Sequence, residues 1–246
     1  LDSMKNKEWF RTWFDTKYYH LLYRNRNEGE AHRIIDALLH LLKPPPNSSF
    51  IDVACGKGRH SIYLNSRGYE VCGLDLSLNS ITKAKKLEST TLNFLHHDIR
   101  NPFPIQDCDY ALNLFTSFGY FDSVEEHVKM LKNIRRSLKS SGTFVLDYLN
   151  VSRVMQDFCP MAEETIDGVK FTISKAVDGN RITKTINVQD AEFSGEFKEQ
   201  VMAFTYDNLC EMMIESGFVI QDTFGDYELN RFATDSPRVI IIAQRR

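Results

Sequence analysis

The chain has 246 residues, 30 basic and 33 acidic side chains, a net charge of -3 and a 42 % hydrophobic fraction. That length buries the core of one large α/β domain without staples, and the ordinary composition argues against disorder. Charge is near balance and no run of like charges occurs, so the basic footprint of a nucleic-acid binder is missing and nucleic acid is not an expected partner. The five cysteines form no CxxC pair, which argues against a disulfide framework and a zinc site, and no metal is expected. The longest unbroken apolar run, Val239 to Ala243, is too short to span a bilayer. A cytoplasmic protein without a membrane partner is expected, as a monomer or homodimer.

The first stretch, EWFRTWFDTKYYHLLY, carries seven aromatics and reads as one helix or two short ones. EGEAHRIIDALLHLL follows, with Ala31, Ile34, Ile35, Leu38 and Leu42 at helical spacing, until Pro44, Pro45 and Pro46 stop it. Residues 4–44 are read as a helical lid on a single domain of residues 4–246. A strand–helix rhythm then begins. SFIDVA is strand one. GRHSIYLNSRG is a helix closed by Gly68, and YEVCGLD is strand two. SLNSITKAKKLEST is a helix with Ser77 as its cap, LNFLHHD strand three and DYALNLF strand four. A helix from about Asp122 to Lys139 has Val124, Val128, Leu131, Ile134 and Leu138 on one side, and GTFVLDYLN is strand five. This alternation predicts a Rossmann-like, mostly parallel seven-stranded sheet covered by helices on both faces.

After Asn150 the rhythm breaks. VKFTISKAV and RITKTINVQ, joined through Asp178, Gly179 and Asn180, form a hairpin signal, and EFKEQVMAFT adds a third antiparallel strand. Residues 160–205 are thus read as an inserted small sheet after strand five, either a wall of the substrate pocket or a dimer contact. YDNLCEMMIESG then returns as a helix, with FVIQDTFGD and SPRVIIIAQRR as strands six and seven.

The chemistry centres on IDVACGKGRH at the first strand-to-helix turn. Asp52 lies inside the strand. Gly56 and Gly58 allow a tight turn and close approach of a ligand, and the N–H groups at the start of the next helix favour a carboxylate or phosphate. A nicotinamide dinucleotide fingerprint would need a glycine where Ser61 stands. This stretch resembles motif I of the class I S-adenosylmethionine-dependent methyltransferases, with Ala54 where that family often carries its first glycine. The resemblance covers nearly the whole chain. It implies that Asp52, Ala54, Gly56, Gly58 and Arg59 surround S-adenosyl-L-methionine, the expected cofactor, which leaves as S-adenosyl-L-homocysteine. It further implies that Asp75 accepts both ribose hydroxyls, with Leu76 beside the adenine. Asp98 takes the adenine amino group and Ile99 packs on the ring. Leu114 and Phe115, at the end of strand four, lie near the sulfonium. Tyr19 closes the site from the lid, and Arg24 or Arg59 pairs with the methionine carboxylate.

The reaction implied is in-line methyl displacement onto an unidentified small-molecule acceptor, in which positioning supplies most of the effect. The sequence marks no catalytic residue. Phe115, Phe118, Tyr120 and Phe121, together with Tyr18, Tyr19 and Tyr23, are candidate acceptor walls, whereas Trp9, Phe10, Trp13 and Phe14 read as core. His60, His96 and His97 read as structural. Motifs of nucleic-acid amino-methylating and cytosine-C5 enzymes are absent, as are the paired acids of an aminopropyl transferase. A non-catalytic S-adenosylmethionine-binding protein is the alternative, ahead of a nicotinamide-dependent dehydrogenase.

Overall fold

The computed structural model describes residues 8–24 and 28–246. The first four residues of the expected lid, and residues 25–27 within it, lie outside the described residues. The lid begins as two short helices, α1 (Phe10–Trp13) and α2 (Lys17–Leu22), followed by α3 (Glu28–Leu42). Thr16 caps α2 by accepting from the Tyr19 N–H.

Seven strands form the main sheet: β1 (Ser49–Val53), β2 (Glu70–Asp75), β3 (Leu92–His96), β4 (Cys108–Asn113), β5 (Leu138–Leu149), β10 (Phe218–Phe224) and β11 (Arg238–Arg245). Their order is β10-β11-β5-β4-β1-β2-β3. The chain runs outward from β1 to β3, then crosses back to β4 beside β1. The carboxyl ends of β1 and β4 therefore border the crevice at which the order reverses, where open α/β sheets bind ligands. Strand β11 is antiparallel to both β5 and β10, because the loop from Gly225 to Pro237 joins β10 to β11 without a crossover helix.

Alternation along the strands sorts the helices. Ile51 and Val53 of β1 point with Leu146 and Ile241 into one core, against Val128, Leu131 and Ile134 of α6 (Val124–Ser137) and Leu209 and Met213 of α8 (Tyr206–Glu215). Phe50, Leu112 and Val145 point the other way, onto Ile34, Ile35 and Leu38 of α3, Leu64 of α4 (Arg59–Ser66) and Ile81 of α5 (Leu78–Ala84). On α6, Val124 is exposed and does not join the buried stripe, and Leu138 already belongs to β5. Ser77 and Gly68 sit at helix ends as expected: the Ser77 side chain accepts from the Ser80 N–H, and Gly68 has φ +94°. The second helix is shorter than its sequence suggests, ending in a 3₁₀ turn over Lys85–Leu87. No helix of the described residues is long and apolar enough to cross a membrane.

The insertion holds four strands, one more than expected: β6 (Met161–Ile166), β7 (Val169–Asp178), β8 (Arg181–Gln189) and β9 (Ser194–Met202), paired in that order, after the short helix α7 (Val151–Gln156). β6 escapes pattern reading because it is an edge strand, exposed along all but its last residue, and carries no alternation. One face of this sheet, through Phe171, Ile173, Ile186 and Val188, packs on Trp9, Trp13, Tyr18 and Leu22 of the lid. Lid and insertion thus share one hydrophobic core. The Trp13 indole donates to Glu199 of β9 at 2.7 Å, and Tyr18 donates to Asp190 at 2.9 Å.

Two glycines of the first turn predict opposite outcomes for one substitution. A Cβ on Gly58 (φ +82°) would stand 2.4 Å from the Phe94 ring, whereas one on Gly56 (φ +58°) would meet nothing within 4 Å. Gly58→Ala is expected to cost about 2–4 kcal/mol, combining backbone strain with overpacking, and Gly56→Ala about 1 kcal/mol from strain alone. Denaturant unfolding of the two variants measures the difference; equal losses would mean that Phe94 does not pack against Gly58.

Candidate active site

Beyond Val53 the chain turns sharply. Ala54 has φ +62°, in the left-handed region that favours glycine. Two neighbours hold the turn: the Cys55 N–H donates to the Leu74 carbonyl at 3.0 Å, and the Gly56 N–H donates to an Asp75 carboxylate oxygen at 2.8 Å. The other Asp75 oxygen accepts the Ser77 N–H at 2.7 Å. Asp75 therefore ties β2 to the glycine turn and keeps lone pairs for a ligand's hydroxyls. Burial raises its carboxyl against the pull of those two N–H groups.

Asp52 is 1 % exposed and accepts from the Ser61 hydroxyl of α4 at 2.6 Å. Burial pushes its carboxyl up to about 6, and the Asp75 charge adds to the shift. Burial also holds the Cys55 thiol well above its ordinary range, so it is protonated at neutral pH and no nucleophile.

These groups border a first cavity of about 460 Å³. Asp52, Ala54, Gly56, Arg59, Asp75, Leu76, Asp98, Ile99, Leu114, Phe115 and Tyr19 all line it, as the sequence implies. Gly58 does not; its missing Cβ makes room for Phe94 and so serves packing of helix against sheet. Asp98 reaches the cavity with its carboxylate already held by Arg100 at 2.7 Å, and burial is outweighed there by this partner, which keeps its carboxyl low. The Arg59 guanidinium lies 4.1 Å from the centre of the Phe115 ring. Arg24 lines the same cavity but spends its charge on Asp167 of the insertion at 3.0 Å. His60 is buried, and its Nε2 has no hydrogen-bond partner among the described residues. Burial drives its ring down to about 3, so it is neutral. A buried polar atom of this kind at a cavity wall fits a ligand contact. His96 and His97 lie outside the cavity, paired with the Leu76 and Asn101 carbonyls.

A second cavity of about 530 Å³ opens between the main sheet and the insertion. It shares Phe14, Tyr19, Phe115 and Tyr120 with the first. The insertion supplies Lys184, Glu199 and Gln200 to its wall, in keeping with its reading as a pocket wall. Glu199 accepts the Tyr23 hydroxyl at 2.7 Å, and Lys184 donates to that hydroxyl at 2.6 Å.

The aromatics sort differently from their sequence reading. Phe14, read as core, lines both cavities and Phe10 lines the first, whereas Trp9, which borders the second, and Trp13 are buried core as read. Phe118, read as a wall, is fully buried against Tyr148 and Phe204, and Tyr18 packs on Phe193 away from both cavities. Helical position alone gives no sign of which side meets an insertion 150 residues later. Sequence reasoning also missed Asp147, Tyr227 and Arg238. The one signal was an aspartate inside the apolar run of strand five, matched by an arginine opening strand seven.

Residues 51–146 match the family model described as a methyltransferase domain. The chain is 26 % identical over 238 residues to a glycine/sarcosine N-methyltransferase of Aphanothece halophytica, covering 90 % of this chain and 83 % of that one. It is 30 % identical over 131 residues to the dTDP-3-amino-3,4,6-trideoxy-alpha-D-glucopyranose N,N-dimethyltransferase of Streptomyces venezuelae, 52 % of this chain and 54 % of that one. Its fold is similar to that of an S-adenosylmethionine-dependent methyltransferase from Clostridium acetobutylicum ATCC 824, with a TM-score of 0.78 at 18 % identity over 93 % of this chain and 96 % of that one.

The buried Asp52 gives a pH signature. Its folded carboxyl titrates near 6, above its ordinary 3.8, so the folded state holds this proton more tightly than the unfolded chain. The stability it contributes is complete below pH 3.8 and is lost as pH rises to about 6. Asp52→Asn removes this dependence. In thermal melts the variant's Tm should gain on wild type as pH rises from 4 to 6; a constant difference would contradict the carboxyl's burial.

Proposed function

We propose that this chain is an S-adenosylmethionine-dependent methyltransferase of the class I fold, as its methyltransferase-domain match and its relatives support, and that it methylates an amine nitrogen on a small, polar molecule seated in the second cavity. Two cavities that share a wall of four rings, Phe14, Tyr19, Phe115 and Tyr120, carry this reading. One is built on the tips of β1, β2 and β4, the other on the insertion. A donor and an acceptor placed in them would meet at the shared wall.

In the first cavity, Asp75 takes the ribose hydroxyls, with the base between Leu76 and Ile99 near Asp98. The methionine end lies by Gly56, Asp52 and Arg59, and the sulfur against Leu114 and Phe115. The residues fit such a group. The open side of Gly56 leaves room for it, Asp75 retains acceptor capacity, and the orphaned His60 Nε2 waits for a polar partner. When bound, S-adenosylmethionine supplies a methyl group on a cationic sulfur, already activated for transfer to a lone pair. The chain's contribution is to orient the acceptor and keep water out. Aromatic faces at the shared wall suit a positive sulfur better than a buried cation would, and alignment of the two reactants is worth on the order of 7–11 kcal/mol.

The second cavity is lined by four carboxylates, Glu30, Glu199, Asp226 and Glu228, and four cations, Arg33, Lys175, Lys184 and Arg238. Such balance favours an acceptor that carries both polar or charged groups and a hydrogen-bonding skeleton over an apolar one. An amine is protonated at neutral pH and offers no lone pair until it sheds that proton, for which the wall carboxylates are the available acceptors. The glycine/sarcosine and amino-sugar enzymes named above are both N-methyltransferases by name, which supports nitrogen as the acceptor atom.

Two experiments test this reading. Asp75→Ala should abolish most binding of S-adenosylhomocysteine in calorimetry, because the ribose hydroxyls lose their acceptor; unchanged affinity would mean that the ribose lies elsewhere. Transfer of a labelled methyl group should be followed over a panel of amino acids, amino sugars and other polar amines, with phenols and carboxylic acids as contrast. The expected outcome is turnover confined to amines, rising with pH. Turnover on oxygen acceptors alone would overturn the assignment of nitrogen, and cofactor binding with no turnover on any class would favour a non-catalytic role.

A further inference from the structure

The turn after β4 is held in a conformation that its residues disfavour. Phe115 and Thr116 are consecutive non-glycine residues with φ of +60° and +58°. Left-handed backbone at two bulky positions in succession persists only where the surroundings over-determine it. Phe115 lines both cavities and Thr116 lines the second.

The surroundings converge on Asp147. The last pairing of β4 with β5 sets Asn113 opposite Leu146, so Asp147 lies just beyond it, level with the turn. Its neighbour Val145 on the same side of β5 packs in the apolar layer of α3, and Asp147 itself is fully buried. One carboxylate oxygen accepts the Phe115 N–H at 2.7 Å and the Tyr227 hydroxyl at 3.1 Å. The other accepts from Arg238 Nε at 2.8 Å, and the Asp147 carbonyl accepts the Thr116 N–H at 3.1 Å. Arg238 closes the loop by donating from Nη2 to the Thr116 hydroxyl at 2.8 Å. Tyr227 also packs on the Phe115 ring, with centroids 5.2 Å apart. Asp147 lines neither cavity, yet it and its partner Arg238 hold both left-handed residues of this turn from outside, while the Ser117 hydroxyl, donating to the Leu114 carbonyl at 3.0 Å, closes the turn from within.

We infer that Asp147 is a positioning residue: it locks Phe115 and Thr116 in their left-handed turn and thereby sets the wall against which the sulfur end of the cofactor lies. The inference rests on the sulfur being placed beside Phe115 as proposed above. It gives the buried Asp147–Arg238 pair a use other than stability, for which a buried ion pair is weak evidence. It also separates the two ends of the cofactor site. The adenosine end depends on β2 and on the segment after β3, and the sulfur end on this turn.

The test exploits that separation. S-adenosylhomocysteine reaches the turn, whereas adenosine stops at the ribose. Both are titrated by calorimetry into the wild-type protein, Asp147→Asn, Tyr227→Phe and the double variant Asp147→Asn/Thr116→Gly, with a thermal melt of each. Asp147→Asn should weaken S-adenosylhomocysteine about tenfold, or 1.4 kcal/mol, and leave adenosine within about twofold. Tyr227→Phe, which removes one hydrogen bond from an uncharged donor and leaves both charges of the Asp147–Arg238 pair in place, should weaken S-adenosylhomocysteine about threefold with adenosine unchanged. Glycine at 116 adopts a positive φ freely, so the double variant should regain most of the loss. Parallel weakening of both ligands, unchanged S-adenosylhomocysteine affinity, or no recovery in the double variant overturns the inference. If Asp147→Asn does not fold, Tyr227→Phe decides by the same split. A wild-type protein that binds adenosine but gains nothing from the homocysteine arm would refute the sulfur placement, and one that binds neither would refute the cofactor site itself.

Discussion

A carboxylate at the tip of one strand holds the turn at the tip of the next, and the geometry of the cleft follows from that. Asp75 of β2 accepts the Gly56 N–H of the turn after β1. Asp147 of β5 accepts the Phe115 N–H of the turn after β4. Each turn leaves the sheet through left-handed residues whose N–H groups would otherwise be stranded. A hydrogen bond to an ionised acceptor contributes about 1.5–3 kcal/mol, enough to offset the strain of a left-handed residue. The parallel register of β1 with β2 and β4 places these turns side by side, and the crevice between them opens where the strand order reverses.

The second determinant is a seam between distant segments. The lid helices α1 and α2 precede the main sheet and the antiparallel insertion follows β5, yet Trp13 packs on Phe197 and Tyr18 on Phe193. Glu199, Tyr23 and Lys184 continue this seam with hydrogen bonds at the cavity wall. One core therefore joins lid and insertion, and residues of both border the second cavity. The lid borders both cavities, whereas the strand-tip acids Asp52, Asp75 and Asp98 line only the first and the insertion only the second, which suits the proposed division between a donor side and an acceptor side.

Strand–helix alternation made the main sheet legible, and the glycine turn with Asp75 and Asp98 at successive strand ends made the lining of the first cavity legible. These are local signals: each depends on a few adjacent residues whose conformational or hydrogen-bonding needs are narrow. What escaped reading was non-local. Gly58 looks like part of the ligand turn, but its requirement comes from Phe94, 36 positions away. Phe118 and Phe14 are alike as residues, and only the packing of Tyr148 and Phe204, or of the lid, decides which one is buried core and which a cavity wall. Asp147 stands in an apolar strand as an anomaly until Arg238 and Tyr227 meet it across β11 and the loop before it. The edge strand β6 has too little burial to leave a pattern.

A crystal structure with S-adenosylhomocysteine bound tests this account most directly. The account predicts density for a nucleoside across the tips of β1, β2 and β3, both ribose hydroxyls within hydrogen-bonding distance of the Asp75 carboxylate, and sulfur against the Phe115 ring beside the second cavity. A ligand found with its ribose away from Asp75, or its sulfur turned from Phe115 toward solvent, would contradict it.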